Sequence, residues 1–248
     1  GRNVNGLKNA VSLLVETRGV GLGRLHIQRR VHTQVTTITS ALRSTAERAA
    51  DLEQVRSYVA RDTASKACKG QVVIEAQATP MQRELTMLDP DTGADRTLKV
   101  DWNSSLALRP VKSRPRPCGY WLAAHATAAV ERLQMLGVQL LRIADPGALL
   151  ADTYYETARE TTEPTDVRGT IAGGSSIIRT QVTPVRSAID VPAGSFYVPL
   201  NQGLAHLAVA ALEPDTQSSY FANRLIDELG STARVMTVPS LVFEESDE

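Results

Sequence analysis

The sequence predicts an α/β chain in two parts, and three features of its patterning support this prediction. A short apolar run rich in β-branched and leucine side chains, residues 11–15, is typical of a buried strand. Helical periodicity follows from residue 24 to about 66, and from Gln71 apolar and polar residues alternate instead. We therefore expect a strand over 11–16 and helices over about 24–66, followed by a mixed α+β region over 67–248.

Composition limits the classes of protein to consider. The 248 residues are 42% hydrophobic, which is enough for one large or two modest cores. Lys and Arg number 27, as do Asp and Glu, so no net charge indicates a nucleic-acid or membrane partner. No run of about 18 apolar residues occurs, so no transmembrane helix is expected.

The charge is nevertheless uneven along the chain. Residues 1–61 hold ten Arg and Lys against four Asp and Glu, a difference of six, while residues 244–248 are acidic. A basic front suits a substrate that carries a carboxylate, and it equally suits a solvated helix face. The basic helical stretch has a single aromatic residue, Tyr58, and no recognisable binding motif, which favours a solvated helix over a nucleic-acid surface.

The helical region carries a continuous apolar stripe. Its members recur at helical spacing and are Leu25, Val31, Val35, Ile38, Leu42, Ala46, Ala49, Leu52, Val55 and Val59. Gly70 follows the region and suits a helix C-cap. We expect the stripe to face a core.

A β-hairpin is predicted next. A strand over 72–76 precedes two alternating segments, around Leu85 and around Val100, which flank the turn at 89–93. The aspartates of this turn could suggest a calcium loop, but the closing glutamate of such a loop is absent. The pattern Asp-Pro-Asp-Thr-Gly therefore favours an ordinary turn.

The rest of the chain is predicted to form short strands and helices joined by loops. The basic, proline-rich stretch 109–117 predicts an extended connector rather than a peptide-docking segment. A β-α-β unit is expected from strands at 120–122 and 138–143 around a helix at 125–136. Beyond it we expect loops at 161–166 and 169–175, strands at 177–185 and 196–200, and helices at 204–212 and 218–229, separated at Pro214.

Two cysteines leave two possibilities open. Cys68 and Cys118 could form one disulfide in an exported protein, or remain two buried thiols in a cytosolic one.

The string GRNVNGLKNAVSLLVETRG, residues 1–19, gives the chain a family resemblance. It resembles the last active-site segment of the zinc metallocarboxypeptidases, the carboxypeptidase A-like family. That resemblance implies that Glu16 is the general base and acid. Residues alone also allow Glu16 to be a structural acid paired with Arg18 or a lysine. Strings at 117–122, 132–138, 191–199 and 211–215 resemble the accessory region of some bacterial members and are expected to carry no chemistry.

The resemblance also implies zinc in the complete enzyme. Family members hold it with a His-x-x-Glu pair and a later histidine, and none of the four histidines here begins such a pair. We therefore expect this chain alone to bind no metal and to be inactive, as the C-terminal portion of a longer protein. The missing N-terminal part would supply the zinc ligands and the arginines that grip the substrate carboxylate. Arg2 could influence specificity, or be a salt-bridged surface residue.

The implied reaction is hydrolysis of a C-terminal peptide bond in a peptide or amino-acid conjugate. Glu16 would take a proton from the zinc-bound water and pass it to the leaving amine. The resemblance further implies a periplasmic or secreted protein. The alternative is a non-catalytic binding module or a degenerate pseudo-peptidase, since residues 67–248 contain no catalytic motif.

Overall fold

The structure, a computed structural model, describes residues 2–19, 21–163, 165–166, 169–170 and 176–245. The architecture is mixed α/β. Within the described residues the helices are α1 Arg2–Leu7, α2 Ile27–Glu47, α3 Ala49–Ser65, α4 Thr127–Met135 and α5 Ala205–Leu212. The strands there are β1 Gln71–Leu88, β2 Asp95–Pro115, β3 Gly119–Leu122, β4 Leu141–Arg142, β5 Gly147–Thr162, β6 Thr165–Asp166, β7 Gly169–Thr170, β8 Ile177–Val191, β9 Phe196–Pro199 and β10 Thr232–Val235. None of the described helices is long and apolar enough to cross a membrane.

A six-stranded sheet organises the core. Its strand order is β4-β9-β3-β10-β5-β8, and each neighbouring pair is antiparallel. Because β3 and β4 both run antiparallel to β9, they are parallel to each other, as a β-α-β unit requires. The strand predicted over 138–143 shortens to Leu141–Arg142, with an isolated bridge from Ile143 to Phe243.

The central strand β3 shows why this sheet is buried on both faces. Tyr120 and Leu122 are fully buried in a core formed with α4 and α5, while Trp121 packs in a second core on the opposite face. Gly119 allows close approach, since an added Cβ would clash with the ring of Tyr197. The sequence of β3 therefore fits a strand covered on both sides.

The predicted hairpin is confirmed and is much longer than expected. β1 and β2 pair along 18 and 21 residues, with Leu88 opposite Asp95 beside the turn. The Asp89 carboxylate accepts hydrogen bonds from the backbone N–H groups of Asp91 and Thr92, which is turn chemistry. The connector predicted over 109–117 is wrong for 109–115, because these residues continue β2 and pair with β1.

A second long hairpin pairs β5 with β8, and the sequence predicts only part of its second strand. β5 and β8 pair from Gly147–Val191 to Thr162–Ile177, so the loop predicted from 161 begins later and the strand predicted over 177–185 runs on to Val191. The short strands β6 and β7 also pair, and residues 171–175 of the other predicted loop lie outside the described residues.

The helix predicted over 218–229 is wrong. Residues 218–228 form turns, and a 3-10 turn follows at Leu229–Ser231. The backbone N–H of Tyr220 donates to the carbonyl of Ala211 at the end of α5, and the Ser219 hydroxyl accepts from the N–H of Phe221. These bonds offer the backbone an alternative to a helix.

Residues 10–19 form neither helix nor strand, so the strand predicted over 11–16 is wrong in this chain. Val11 is 76% exposed and Leu13 69%. A strand is stable only beside a neighbour that satisfies its backbone groups, and no described strand pairs with this segment.

The helical region appears as α2 and α3, separated by a turn at Arg48, and its apolar stripe is largely uncovered. Val31, Val35, Ile38 and Leu42 of α2 are all more than half exposed. The expectation that this stripe faces a core is wrong for α2.

The first 66 residues nevertheless touch the rest of the chain. α1 and α3 both contact α5, and Leu7 packs against the core of β3 and α5. The Asn9 side-chain amide donates to the carbonyl of Gly203 at 2.8 Å, and Thr63 is buried. The division into residues 1–66 and 67–248 stays a prediction.

Candidate functional site

Glu16 lies on the protein surface. It is exposed, in the irregular segment 10–19, which runs beside α2. The Gln34 side-chain amide of α2 donates to the Val15 carbonyl at 3.2 Å and to the Thr17 hydroxyl at 3.4 Å. Glu16 is therefore held beside α2 rather than at the end of a buried strand, and within the described residues it makes no ion pair.

The other predicted site residues do not gather around Glu16. Arg2 begins α1, and its side chain lies outside the described part of the structure. The histidines are scattered: His26 precedes α2, His32 lies on α2, His125 contacts the Ser231 hydroxyl at 3.0 Å, and His206 lies on α5.

A zinc site does not fit the described residues. Among them, no group of three or more His, Cys, Asp or Glu side chains is arranged to hold a metal ion. A catalytic zinc needs three protein ligands and an open position.

Cys68 and Cys118 form a disulfide that joins residues 50 apart. Backbone bonds reinforce the junction: the N–H of Cys68 donates to the Pro117 carbonyl, and the N–H of Arg116 donates to the Gly70 carbonyl at 2.9 Å. The disulfide therefore fixes the end of β2 against the start of β1.

The most polar buried feature is a group of four charged side chains, Arg114, Arg234, Glu213 and Asp215, here called the buried ion cluster. Arg114 lies 2.6 Å from a Glu213 oxygen and 2.7 Å from an Asp215 oxygen, and Arg234 lies 2.7 Å from Glu213. Both carboxylate side chains are fully buried. Two cations and two carboxylates give the cluster no net charge.

Neighbouring groups complete the hydrogen bonding. The Tyr120 hydroxyl donates to Glu213 at 2.8 Å, and the Lys112 ammonium donates to Asp215. Arg114 also donates to the Val182 carbonyl at 2.7 Å. The cluster thereby connects β2, β3, β8, β10 and the residues after α5.

The pKa shifts of Arg114 and Asp215 favour the ionised form of each side chain. Burial alone would lower the pKa of Arg114, but hydrogen bonding to Asp215 and the two nearby carboxylate charges outweigh it and raise that pKa. Burial would raise the pKa of Asp215, but hydrogen bonds from Arg114 and Lys112 lower it. Burial and the Glu213 charge raise the pKa of Tyr120 well above its usual value, so this tyrosine remains a neutral donor.

The cluster is suited to holding elements together rather than to chemistry. Its charges are balanced and its side chains are closed off, so none presents a free group to a substrate. The sequence does not predict the cluster, because the pattern of 109–117 predicts a connector at Lys112 and Arg114. Lys112 and Arg114 are two residues apart, a spacing that puts both on one face of a strand and is an available signal in the sequence.

Three of the strings that are expected to carry no chemistry contact one another in and around the buried ion cluster. Tyr120 belongs to the string 117–122 and meets Glu213 of the string 211–215. Trp121 donates its indole N–H to the buried Ser195 hydroxyl of the string 191–199 at 3.0 Å. These three strings thus meet in the packed interior.

Comparison with known proteins shows similarity to fungal carboxypeptidases. The chain is 27% identical over 232 residues to carboxypeptidase 2 of Trichophyton tonsurans, and equally so to that of Trichophyton equinum, covering 89% of this chain and 39% of each relative. A probable carboxypeptidase 2 of Arthroderma benhamiae is 27% identical over 229 residues. The chain spans about two fifths of the length of these relatives. No protein-family model matches the chain, and no solved structure does.

Proposed function

We propose that this chain is part of a carboxypeptidase, to which it contributes the segment that carries Glu16. The observation that carries the proposal is the similarity to carboxypeptidase 2 over 89% of the chain. The string at residues 1–19, with its resemblance to the last active-site segment of the metallocarboxypeptidases, supports the same assignment.

Glu16 is the residue proposed to act in catalysis. Its carboxylate would take a proton from the attacking water and later give it to the departing amine. Exposed Val11 and Leu13 lie on the same segment, so further protein packed against them would also desolvate Glu16. We propose that the remaining part of the peptidase provides this cover and carries the arginines that bind the substrate carboxylate.

Zinc is proposed only for the complete enzyme. The described residues offer no ligand set for it, so its ligands would lie in the remaining part of the peptidase. The substrate would be a peptide or an amino-acid conjugate, and residues 67–248 would form an accessory domain.

A periplasmic or secreted location is proposed with the same assignment. The disulfide between Cys68 and Cys118 supports an oxidising compartment, because disulfides are rare in reducing ones.

The exposure of Glu16 supports a second candidate function. If Glu16 is structural, the chain is a non-catalytic binding module or part of a degenerate pseudo-peptidase. The absence of a metal-ligand group among the described residues is compatible with this candidate as well.

The deciding experiment compares the parent protein, extended to the length of its relatives, with the 248-residue chain. Metal analysis and hydrolysis of a peptide with a free C-terminus would be measured on both, and on the parent carrying Glu16→Gln. We expect about one zinc ion per extended molecule, and a loss of roughly 10²–10⁴-fold in hydrolysis on Glu16→Gln with zinc retained.

Glu47→Gln at the end of α2 is the matched control, because Glu47 is also exposed. It should leave hydrolysis unchanged. An extended protein that binds zinc and retains full hydrolysis with Glu16→Gln would exclude the role of Glu16. An extended protein without zinc or hydrolysis would favour the binding module.

A further inference from the structure

A cavity that does not include the Glu16 segment lies between α5 and the start of β1. Its volume is about 300 Å³. Its apolar wall includes Leu7, Val72, Ile74 and Val209, and Arg116 and His206 are its ionisable lining residues. No carboxylate side chain lines it.

Arg116 is a buried cation that forms no ion pair with any described residue, although the charge of Asp62 acts on it without direct contact. The residue is only 7% exposed, and its Nε and Nη1 atoms are buried with no hydrogen-bond partner among the described residues. The remaining nitrogen donates to the Gln71 carbonyl at 3.4 Å. Arg114, two residues earlier near the end of β2, has two carboxylate partners. Buried charges are ordinarily paired, so Arg116 requires an explanation.

The backbone around Arg116 is fixed on both sides. Its N–H donates to the Gly70 carbonyl, and two residues later Cys118 is bonded to Cys68. The backbone of Arg116 is therefore held beside the cavity, while its guanidinium keeps side-chain freedom.

The electrostatics of the cavity favour an anion. Burial lowers the pKa of Arg116, and the nearby Tyr120 and Asp62 only partly offset this effect. Burial also lowers the pKa of His206, and the positive charges of Arg116 and Lys66 lower it further, while Asp62 opposes them. An anion between Arg116 and His206 would remove this repulsion.

We propose that this cavity binds a small aliphatic carboxylate, with the carboxylate on Arg116 and the alkyl chain against the apolar wall. A guanidinium matches a carboxylate in a bidentate geometry, and turning it towards the ligand is a side-chain change of a kind common on binding. At roughly 30 Å³ per water-sized group, the volume accommodates about ten non-hydrogen atoms. A branched five-carbon acid, or the C-terminal leucine of a peptide, fits this limit.

The test uses isovalerate, with isovaleramide as the uncharged isostere, followed by NMR of the His206 ring in the full 248-residue chain. Isovalerate should bind saturably and raise the pKa of His206, and isovaleramide should do neither. The proposal is overturned if ~10 mM isovalerate, about ten times a millimolar Kd, leaves His206 unmoved, or if the amide binds equally.

Arg116→Met tests the assignment to one residue, since it keeps the apolar stem and removes the charge. It should weaken isovalerate binding by roughly tenfold or more, as expected for a lost charge-assisted hydrogen bond. Arg109→Met, at an exposed position of β2, should have no effect. Unchanged binding in a folded Arg116→Met protein would refute the site. If that variant fails to fold, the comparison of acid with amide decides.

Two further ligands distinguish the source of the carboxylate. A pentapeptide ending in leucine would bind if the cavity receives peptide C-termini, and its C-terminal amide would not. Binding of isovalerate alone would assign the cavity to free carboxylates. Both results support the site, and neither depends on the catalytic role of Glu16.

Discussion

Two apolar segments of this protein, 11–15 and β3, invite comparison, because their sequences predict the same structure and only one adopts it. β3 lies between β9 and β10, and its side chains are buried on both faces. Segment 11–15 has no strand beside it, and Val11 is 76% exposed. An apolar run therefore predicts which residues can be buried, whereas the neighbours decide whether they are.

The ion pairs of two arginines, Arg56 on α3 and Arg114 on β2, show the same dependence on neighbours. Arg56 on α3 pairs with Glu53 three residues away, and both side chains are more than half exposed. Arg114 pairs with carboxylates about one hundred residues away and is almost fully buried. Local sequence spacing predicts the first kind of pair, and only the fold creates the second.

The largest effect should come from the buried ion cluster. Glu213→Gln removes a charge that pairs with both Arg114 and Arg234, so two buried cations lose a partner. We expect a loss of about 3–5 kcal/mol in the free energy of unfolding, measured by urea denaturation. Glu47→Gln should change the free energy of unfolding little, because Glu47 is exposed. A comparable loss in both variants would contradict the expected difference between a buried and an exposed carboxylate.

Removing the disulfide should have an effect of similar or smaller size. Cys68→Ser with Cys118→Ser frees a loop whose ends are 50 residues apart, which corresponds to about 4 kcal/mol in the chain-entropy description. Urea denaturation of the double variant beside the oxidised parent measures it. Equal midpoints would show that β1 and β2 hold their junction without the covalent bond.

A matched pair of leucines tests the comparison directly. Leu122→Ala in β3 should cost about 2–5 kcal/mol, because it opens a cavity in the core. Leu13→Ala should stay within about 0.5 kcal/mol in this chain, because Leu13 is 69% exposed. Thermal unfolding of both variants distinguishes them.

The same pair would sharpen the proposed function. In a parent extended to the length of its relatives, a core-sized cost for Leu13→Ala would indicate that further protein covers segment 11–15. An unchanged small cost there would argue against that cover.

The contribution of Asp215 to stability at low pH should be smaller than the loss caused by Glu213→Gln or Leu122→Ala. Its pKa is lowered in the folded state, so the folded protein holds its proton less tightly than the unfolded chain does. Stability from this group is therefore fully present above about pH 4 and is lost as the pH falls through the folded pKa, by at most ~1.4 kcal/mol per pH unit. Asp215→Asn should flatten the pH profile of unfolding in that range. A profile that remains as steep would assign the acid sensitivity to other carboxylates.

Local chemistry by itself determined several elements of this protein. The Asp89 turn, the helix over 204–212 and the helix end at Gly137, which has a φ of +85°, follow from residues that act within a few positions. For the same reason the hairpin and the β-α-β unit were predictable, since short-range pattern and turn chemistry specify them. The candidate Glu16 is also identified by a local string, residues 1–19, but that string does not predict that Glu16 is exposed.

Tertiary structure alone decided the remainder, because those features depend on partners far away in the chain. The conversion of 109–115 into a strand, the unpaired state of 11–16 and the buried ion cluster all depend on contacts, or missing contacts, with distant elements. Tertiary structure also leaves the Nε and Nη1 atoms of Arg116 without a hydrogen-bond partner among the described residues. Nothing in the local sequence distinguishes Arg116 from Arg114 in this respect. Backbone pairing and charge burial are satisfied globally, and a sequence window contains only one of the two partners.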